Sequence, residues 1–536
     1  MKRVEMTSYD AAYDGFEWKI PAQFNYGGDV VDVWAKDPDR MALIWVNEAG
    51  EERRFTYADV RDLTNQFANY LTQKGVKKGD RVLIMLPRIP EWQIAMVGCN
   101  KLGAIPIPCV TMLTGKDVSY RMEHSGAVAV VTTAMEVGKV SDDVPVRLSV
   151  GEAAGWDDFK TELNRQSTDF IPAAVNAEDP AIMFYTSGST GLPKGVLHAS
   201  RGLFSWRVSA WYWLSLTEDD VMWCTADTGW SKAGTSILYG PWSCGATVLF
   251  YDGPFDLEHR LDLLQRYNVT VYCAAATEIR QLVQVDTSAR DLSSLRLSVS
   301  AGESVDPDTV RAWSDKTGAL LLDGYGQTET LMTVLNYPKM KLKPGSMGKP
   351  LPGTQAAILT GQGRRAVPGE PGQLAIRYPH PQVMLGYWNN PEKTKENFLT
   401  VDGTEWFLTG DTAYMDTEGY LFFAGRDDDV INSSGYRIGP MEVENALMEH
   451  GMVQECAAVA SPDKTRGEVV KAFIVLKRGC TPSDDLVKEL QDFTKALTAP
   501  YKYPRRIAFL DELPKTATGK ILRRLLKEQE FEGWSA

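Results

Sequence analysis

Cysteine is scarce in this sequence, and the positions of the few cysteines exclude two kinds of scaffold. The 536 residues include seven cysteines, and no two of them form a C-x-x-C pair. Disulfide frameworks use closely spaced, even-numbered cysteines, and structural zinc sites use such pairs. The pattern therefore indicates buried thiols in a reducing compartment.

Long uncharged apolar runs are also missing. No stretch is long enough to span a bilayer, and residues 1–18 mix charged and aromatic side chains without an apolar core. We therefore predict a cytoplasmic protein with no signal peptide and no stable membrane insertion.

Positive charge is in the minority. The chain has 57 Lys and Arg against 70 Asp and Glu, a formal net charge of −13 at pH 7. This balance argues against nucleic acid as a partner. An acidic protein that handles phosphates must concentrate its cations locally, which draws attention to Lys194 and to the basic stretch at Arg523 and Arg524.

The most informative stretch is TSGSTGLPKG, residues 186–195. The apolar run 181–185 leads into it and predicts a buried strand. The glycines allow close approach, the hydroxyls and backbone N–H groups can face one anion, and Lys194 adds a cation. Leu192 and Pro193 separate the last glycine from the lysine, so this is not a Walker A loop. The stretch predicts a polyphosphate site; the alternative, a flexible linker, fits poorly with the preceding strand.

The length predicts two or more domains, and the residue pattern predicts an α/β fold. Helix and strand patterns alternate between residues 55 and 109. Further strand patterns follow at 128–131, 221–224, 246–250, 269–272 and 295–299. Such alternation is typical of a parallel or mixed sheet covered by helices, with ligands at the carboxyl ends of strands. We expect the 186–195 stretch to lie at such an end.

A second segment rich in glycine and hydroxyls, DGYGQTET at 323–330, follows the apolar residues 320–322 and is expected to be a loop. Glu329 in it is either a surface acid or a Mg²⁺ ligand beside a triphosphate. Trp230 follows another apolar run, 221–224, and its flat ring is suited to lining an apolar pocket.

The chain changes character after Arg426, where three aspartates occupy 427–429. Residues 430–536 have the pattern of an α+β segment of domain size, with a helix at 441–449 and a strand at 471–476. We therefore expect a large N-terminal domain over 1–427, including a β-barrel-like subdomain, and a small mobile domain over 428–536.

Five motifs in one order resemble the adenylate-forming superfamily, which includes acyl-CoA synthetases, firefly luciferases and peptide-synthetase adenylation domains. The motifs lie at 186–195, 325–329, 409–411, 425–429 and 514–520. Two further segments, 432–444 and 499–505, most resemble the medium-chain acyl-CoA synthetase branch. The resemblance implies that a carboxylic acid and ATP form acyl-AMP and pyrophosphate, and that coenzyme A then displaces AMP.

The resemblance also implies an ATP site. It assigns the pyrophosphate end of ATP to Thr186, Ser187, Gly188, Ser189, Thr190, Gly191 and Lys194. It assigns adenine and the α-phosphate to Asp323, Gly324, Tyr325, Gly326, Gln327 and Thr328, with Glu329 on Mg²⁺. Asp411 would bind the ribose hydroxyls, and Arg426 would lie near the ribose. Lys520 would act as the catalytic cation of adenylation, together with Thr328 and Glu329.

For the second half-reaction, the resemblance implies a rotation of the small domain about Asp428. It assigns the pantetheine tunnel to Ser434, Gly435 and Tyr436, and the phosphates of coenzyme A to Arg437, Arg466 and Arg505. Surface ion pairs are a second interpretation of Arg466 and Arg505.

Two of the departures from the family pattern concern the acyl pocket. Gly326 stands where acetyl- and propionyl-CoA synthetases have a tryptophan, and Leu331 stands where glycine is usual. The missing side chain at 326 predicts an open acyl pocket lined by Trp230 and Thr328, for a medium-chain, branched, alicyclic or aromatic acid. The sequence leaves open which acid it is, ATP or GTP preference, acylation of Lys520, and the oligomeric state, for which a homodimer is one option.

Three other functions share the adenylation motifs. A stand-alone adenylation enzyme that loads a carrier protein is the main alternative; the basic C-terminal elements favour free coenzyme A. A luciferase-like monooxygenase lacks support from any oxygen chemistry in the sequence. A non-catalytic nucleotide sensor would not need both Lys520 and Glu329.

Overall fold

The computed structural model describes residues 3, 5–186, 193–302, 305–361, 363–426, 429, 431–433, 436–463, 467–498, 502–515 and 521–532. Within these residues, the strands are β1 (Met41–Asn47), β2 (Glu52–Thr56), β3 (Arg81–Met85), β4 (Ile105–Pro108), β5 (Ala129–Thr133), β6 (Val146–Val150), β7 (Asp157–Asp158), β8 (Pro180–Thr186), β9 (Lys194–Ala199), β10 (Val221–Cys224), β11 (Thr247–Asp252), β12 (Val271–Cys273), β13 (Leu297–Ala301), β14 (Leu320–Gln327), β15 (Leu331–Leu335), β16 (Lys349–Pro350), β17 (Ala356–Leu359), β18 (Gly372–Arg377), β19 (Gly386–Tyr387), β20 (Phe398–Val401), β21 (Thr404–Met415), β22 (Leu421–Arg426), β23 (Ile431–Ser433), β24 (Tyr436–Ile438), β25 (Val453–Asp463), β26 (Gly467–Leu476) and β27 (Arg506–Phe509).

The α-helices in the same residues are α1 (Tyr9–Gly15), α2 (Asp32–Trp34), α3 (Tyr57–Gln73), α4 (Pro90–Leu102), α5 (Gly115–Ser125), α6 (Phe159–Leu163), α7 (Ser200–Tyr212), α8 (Ser231–Ala233), α9 (Tyr239–Ser243), α10 (Leu257–Arg266), α11 (Ala276–Leu282), α12 (Pro307–Thr317), α13 (Pro391–Lys395), α14 (Pro440–Met448), α15 (Asp484–Leu497) and α16 (Arg523–Phe531). No helix among the residues just described is both long enough and apolar enough to cross a bilayer.

The chain folds into two compact units. Unit 1 comprises 1–342, 350–355 and 378–396, and unit 2 comprises 343–349, 356–377 and 397–536. A large unit of sheets and helices and a smaller second unit confirm the predicted α/β class. The boundary near residue 428 stays a prediction.

Local sequence explains the elements that were predicted most directly. Helix α3 begins after Thr56, whose side chain accepts a hydrogen bond from the Asp59 N–H, while the Asp59 carboxylate accepts from the Thr56 N–H. This capping box satisfies two N–H groups that the helix start would leave unpaired. Val60 and Phe67 on its inner face are almost fully buried. The predicted alternation of helix and strand over 55–109 is confirmed.

The described residues of unit 1 form three sheets. One is fully parallel, with strand order β4-β3-β5-β6-β7. A mixed sheet runs β15-β14-β13-β12-β10-β11-β1-β2, in which β14, β13, β12, β10, β11 and β1 are parallel neighbours. The third is antiparallel, with order β19-β9-β8.

Two predicted features of the polar segments are wrong. The 186–195 stretch begins at the carboxyl end of β8, as predicted, but that strand does not belong to a parallel sheet: β8 and β9 are antiparallel, with Thr186 paired to Lys194. A link this short makes a hairpin, because a parallel crossover needs about a dozen residues. The second segment is not a loop at its start, since β14 continues to Gln327 and pairs with β15.

In unit 2, the part of the chain that the structure describes forms two sheets. Strands β17-β18-β21-β20, with β22 also on β21, make an antiparallel sheet where a barrel-like subdomain was expected. Strands β24-β23-β26-β25, with β27 on β26, make the other and pack with α14 and α15 around a separate core. The predicted helix at 441–449 and strand at 471–476 correspond to α14 and β26.

Candidate active site

The carboxyl ends of β10, β12, β13 and β14 share one edge of the mixed sheet, because these strands are parallel neighbours. The Trp230 segment follows β10, and Thr328 and Glu329 follow β14. The expectation that polar segments gather at strand ends is therefore confirmed for these residues.

The turn before Trp230 is held rigidly. The Thr228 hydroxyl donates to the Leu86 carbonyl at 2.6 Å, and Thr228 is almost fully buried. A Cβ at Gly229 would lie 2.4 Å from the Val110 backbone nitrogen, so only glycine allows this close approach. The turn leaves Trp230 half-buried, and its indole N–H is buried without a partner among the described residues.

Thr328 lies against the segment that carries Trp230. Its hydroxyl is 3.2 Å from the Ser231 hydroxyl, where either group can donate. The structure therefore brings together the two parts of the chain that were expected to line the acyl pocket. Lys232 adds a cation here, and its ammonium donates to the Ala301 carbonyl at the end of β13 at 3.1 Å.

The sequence predicted an open acyl pocket at Gly326 because this residue has no side chain. The hairpin of β14 and β15 contradicts that reason. A Cβ at Gly326 would lie 2.1 Å from the Leu331 carbonyl oxygen and 2.8 Å from the Met332 Cα. The space is filled by the backbone of β15, so the missing side chain does not leave room for substrate. Leu331 has a positive φ of 54°, a left-handed backbone conformation that glycine adopts without strain.

His198 fixes the backbone of Thr328. Its Nε2 is 2.6 Å from the Thr328 carbonyl oxygen, which can only accept, so Nε2 carries the proton. The ring is fully buried, and burial lowers its pKa from the ordinary 6.5 to about 4. His198 is therefore a neutral donor at physiological pH.

Glu329, Tyr387 and Lys194 form one cluster. The Tyr387 hydroxyl donates to Glu329 Oε1 at 2.9 Å. The Lys194 ammonium lies 4.4 Å from the centroid of the Tyr387 ring, which is cation–π geometry. The structure thus joins the cation of the first motif to the carboxylate of the second through a tyrosine.

The ends of the first motif are anchored by α5. The Tyr120 hydroxyl donates to the Pro193 carbonyl at 2.9 Å, and the Tyr185 hydroxyl lies 2.8 Å from His124 Nδ1. Within the predicted phosphate stretch, Thr186 is the last residue of β8 and Lys194 is the first residue of β9. Ser187, Gly188, Ser189, Thr190 and Gly191 lie outside the described residues.

The other residues of the second motif that were predicted to bind ATP lie on β14. Asp323, Gly324, Tyr325 and Gln327 pair with Ser300, Ala301, Val334 and Leu331 respectively. The Asp323 carboxylate accepts from the Gly324 N–H at 2.9 Å, and the Asp323 carbonyl accepts from the Asn336 amide at 3.1 Å. These positions are therefore held by strand pairing.

In unit 2, Asp411 and Arg426 occupy directly opposite positions on β21 and β22. Asp411 is 5% exposed, and its N–H donates to the Thr409 hydroxyl at 3.2 Å. The strand pairing therefore brings together the two residues that the family resemblance assigns to the ribose.

The coenzyme A residues are only partly described. Tyr436 and Arg437 lie on β24, antiparallel to β23. Arg505 donates to the Tyr503 hydroxyl at 2.8 Å and lies 4.8 Å from the centroid of that ring. The other predicted residues, Ser434, Gly435, Arg466, Asp428 (predicted hinge) and Lys520 (predicted catalytic cation), lie outside the described residues.

A family model described as "AMP-binding enzyme" matches residues 31–388, and one described as "AMP-binding enzyme C-terminal domain" matches residues 442–520. The chain belongs to the AMP-binding enzyme family.

Relatives over the whole length agree with this assignment. The chain is 41% identical to human "Acyl-coenzyme A synthetase ACSM3, mitochondrial", covering 98% of this chain and 93% of the relative. It is 40% identical to "Uncharacterized acyl--CoA ligase YtcI" of Bacillus subtilis, covering 95% and 97%. The structure of "the anthranilate CoA ligase AuaEII in complex with anthranoyl-AMP" matches with a TM-score of 0.86 at 31% identity, covering 95% and 98%. The predicted resemblance to acyl-CoA synthetases, and the class of AMP-forming acid–thiol ligase, are confirmed.

Sequence reasoning on this AMP-binding enzyme missed Tyr387 and His198. Tyr387 lies 58 residues from Glu329 along the chain, and His198 lies 130 residues from Thr328. His198 is one of only five histidines and closely follows the first motif, which is a signal that could have found it. Tyr387 sits between Gly386 and Trp388 and had no comparable signal.

Proposed function

We propose that this AMP-binding enzyme is an acyl-CoA synthetase that activates a medium-chain, branched, alicyclic or aromatic carboxylic acid. The acid attacks the α-phosphate of ATP to give acyl-AMP and pyrophosphate, and the thiol of coenzyme A then displaces AMP. A free carboxylate does not react with a thiol because oxide is a poor leaving group, and AMP is a good one.

The cluster of Lys194, Tyr387 and Glu329 at the end of β14 is the observation that carries this proposal. The first step brings two anions together, so positive charge and oriented dipoles must supply the catalysis. Lys194, whose ammonium lies over the Tyr387 ring, would contact the phosphates. Lys520 would add the second cation, as the family resemblance implies.

The donors present fit Mg²⁺. Glu329 offers a carboxylate whose Oε1 accepts one hydrogen bond, and Thr328 next to it offers a hydroxyl. Mg²⁺ favours such oxygen ligands and binds through one or two carboxylates together with substrate phosphates. When bound, it would neutralise charge on the phosphate oxygens. Glu329 would be the residue that holds it.

The ribose and coenzyme A assignments rest on family resemblance. Asp411 has two carboxylate oxygens, which suit two adjacent hydroxyls, and its position opposite Arg426 is consistent with a shared ribose contact. Arg437, Arg466 and Arg505 would face the phosphates of coenzyme A, with Ser434, Gly435 and Tyr436 around the pantetheine arm. A rotation about Asp428 would bring them into place.

The proposed class of acid is supported by the surroundings of Trp230 and by one of the matching structures. Trp230 offers a half-buried ring, its neighbour Ser231 contacts Thr328, and an apolar acid of some length would cover the ring. Each methylene that becomes buried there would contribute about 0.8 kcal/mol to binding. One matching structure is named as an anthranilate CoA ligase, and anthranilate is an aromatic acid.

A panel of acids tests the proposal. Acids from acetate to decanoate, with benzoate and cyclohexane carboxylate, are supplied with ATP, Mg²⁺ and free coenzyme A, and both pyrophosphate and acyl-CoA are measured. We expect steady formation of both with the longer or ring-shaped acids. Pyrophosphate in a single burst, with no acyl-CoA, would favour the carrier-protein alternative. A homodimer and a cytoplasmic location stay predictions.

A further inference from the structure

Tyr387 contacts two residues that belong to different motifs. Its hydroxyl donates to Glu329 Oε1 at 2.9 Å, and its ring lies 4.4 Å below the Lys194 ammonium. Tyr387 is 7% exposed, whereas Lys194 and Glu329 are half-buried, so both contacts are partly shielded from water, which strengthens electrostatic interactions.

The backbone around Tyr387 is held on several sides. Tyr387 pairs with Val196 on β9, and its N–H donates to the Thr394 hydroxyl at 2.9 Å. The Met384 N–H donates to the Glu329 carbonyl, also at 2.9 Å. Arg201 holds the segment just before Tyr387 in place, because its NH1 donates to the carbonyls of His380, Pro381 and Val383. A tyrosine fixed in this way can impose a position on its partners.

We propose that Tyr387 is a positioning residue that orients Glu329 toward a divalent cation and holds Lys194 toward phosphate. The inference rests on the proposed function. The hydroxyl donates to Oε1 and so restricts the conformations of the Glu329 carboxylate, which would then hold the cation with less loss of conformational freedom. The ring face attracts the ammonium and limits its conformations. Groups that orient a metal ligand in this way change metal affinity by about 10- to 100-fold.

The first test measures binding and needs no knowledge of the acid. The full-length protein is titrated with α,β-methylene-ATP at a series of Mg²⁺ concentrations. Tyr387→Phe removes the hydroxyl and keeps the ring, so we expect the half-saturating Mg²⁺ concentration to rise about 10-fold. Binding of the analogue without Mg²⁺ should change less than about 2-fold. Tyr387→Leu also removes the ring, and should weaken that metal-free binding by about 3-fold or more.

Tyr267→Phe is the matched control. The Tyr267 hydroxyl donates to Glu52 at 2.7 Å, the side chain is 6% exposed, and the pair belongs to unit 1 but not to the proposed site. It therefore removes the same kind of hydrogen bond at similar burial. We expect a comparable change in melting temperature for Tyr387→Phe and Tyr267→Phe, with the change in Mg²⁺ dependence confined to Tyr387→Phe.

A double-mutant cycle with Glu329→Gln completes the test. If Tyr387 acts through the Glu329 carboxylate, adding Tyr387→Phe to Glu329→Gln should not raise the Mg²⁺ requirement further. An unchanged Mg²⁺ requirement in Tyr387→Phe, with wild-type binding intact, would overturn this inference and leave the proposed function standing. A wild-type protein that does not bind the analogue at any Mg²⁺ concentration would overturn both.

Discussion

Two of the buried histidines, His198 and His380, should make the protein lose stability in mild acid. His198 and His380 are both fully buried, and burial lowers the pKa of each ring from 6.5 to about 4. In the unfolded chain these rings take up protons below about pH 6.5, whereas in the folded chain they stay neutral until about pH 4. Their contribution to stability is therefore complete above pH 6.5 and is lost as the pH falls toward 4.

The size of the effect follows from the shift. Each histidine contributes about 3 kcal/mol over the whole window and about 2 kcal/mol of loss by pH 5. His198→Gln removes the titration and retains an amide donor in a position similar to Nε2, so the hydrogen bond to the Thr328 carbonyl can persist. We expect the free energy of unfolding in this variant to fall about 2 kcal/mol less between pH 7 and pH 5 than in wild type.

Urea unfolding at a series of pH values provides the measurement. His380→Gln serves as the matched comparison, since it removes a second buried ring with the same lowered pKa, hydrogen-bonded to Thr354 at 3.0 Å. The two variants should flatten the pH profile by similar amounts, and the double variant by the sum. If His198→Gln has the same slope as wild type between pH 7 and pH 5, the ring is not held neutral by burial and the argument is wrong.

Three further predictions concern individual positions. Gly326→Ala should lower the free energy of unfolding by about 1–3 kcal/mol, because its Cβ meets the Leu331 carbonyl. The control Gly138→Ala should be close to neutral, because a Cβ there meets nothing within 4 Å. Chemical denaturation of both variants measures the difference. Leu331→Gly should be about 1 kcal/mol more stable than Leu331→Ala, the reverse of the usual order, because only glycine relieves the positive φ; equal stability would contradict this. Lys520→Ala should cost about 3–4 kcal/mol in the rate of pyrophosphate release yet preserve thioester formation from supplied acyl-AMP; equal loss of both steps would refute its role.

Local patterns in the sequence were enough to predict many of the elements and the family. Helix α3 and strands β3 and β4 lie in the predicted alternation over 55–109, and β5 matches the strand pattern at 128–131, because these signals depend on neighbours within a few residues. The adenylate-forming superfamily was identified from five motifs that occur in one order. Each motif is a short stretch, so it can be found without knowledge of the fold.

Long-range contacts decided the rest. The hairpin of β8 and β9, the continuation of β14 past Asp323 and the filled space at Gly326 depend on which strand lies alongside, and residue spacing does not reveal that. Tyr387 and His198 matter because of their partners Glu329 and Thr328, which follow β14 and lie far from them along the chain. Residue chemistry thus determined what the protein can bind, whereas packing determined which side chains hold the binding groups in place.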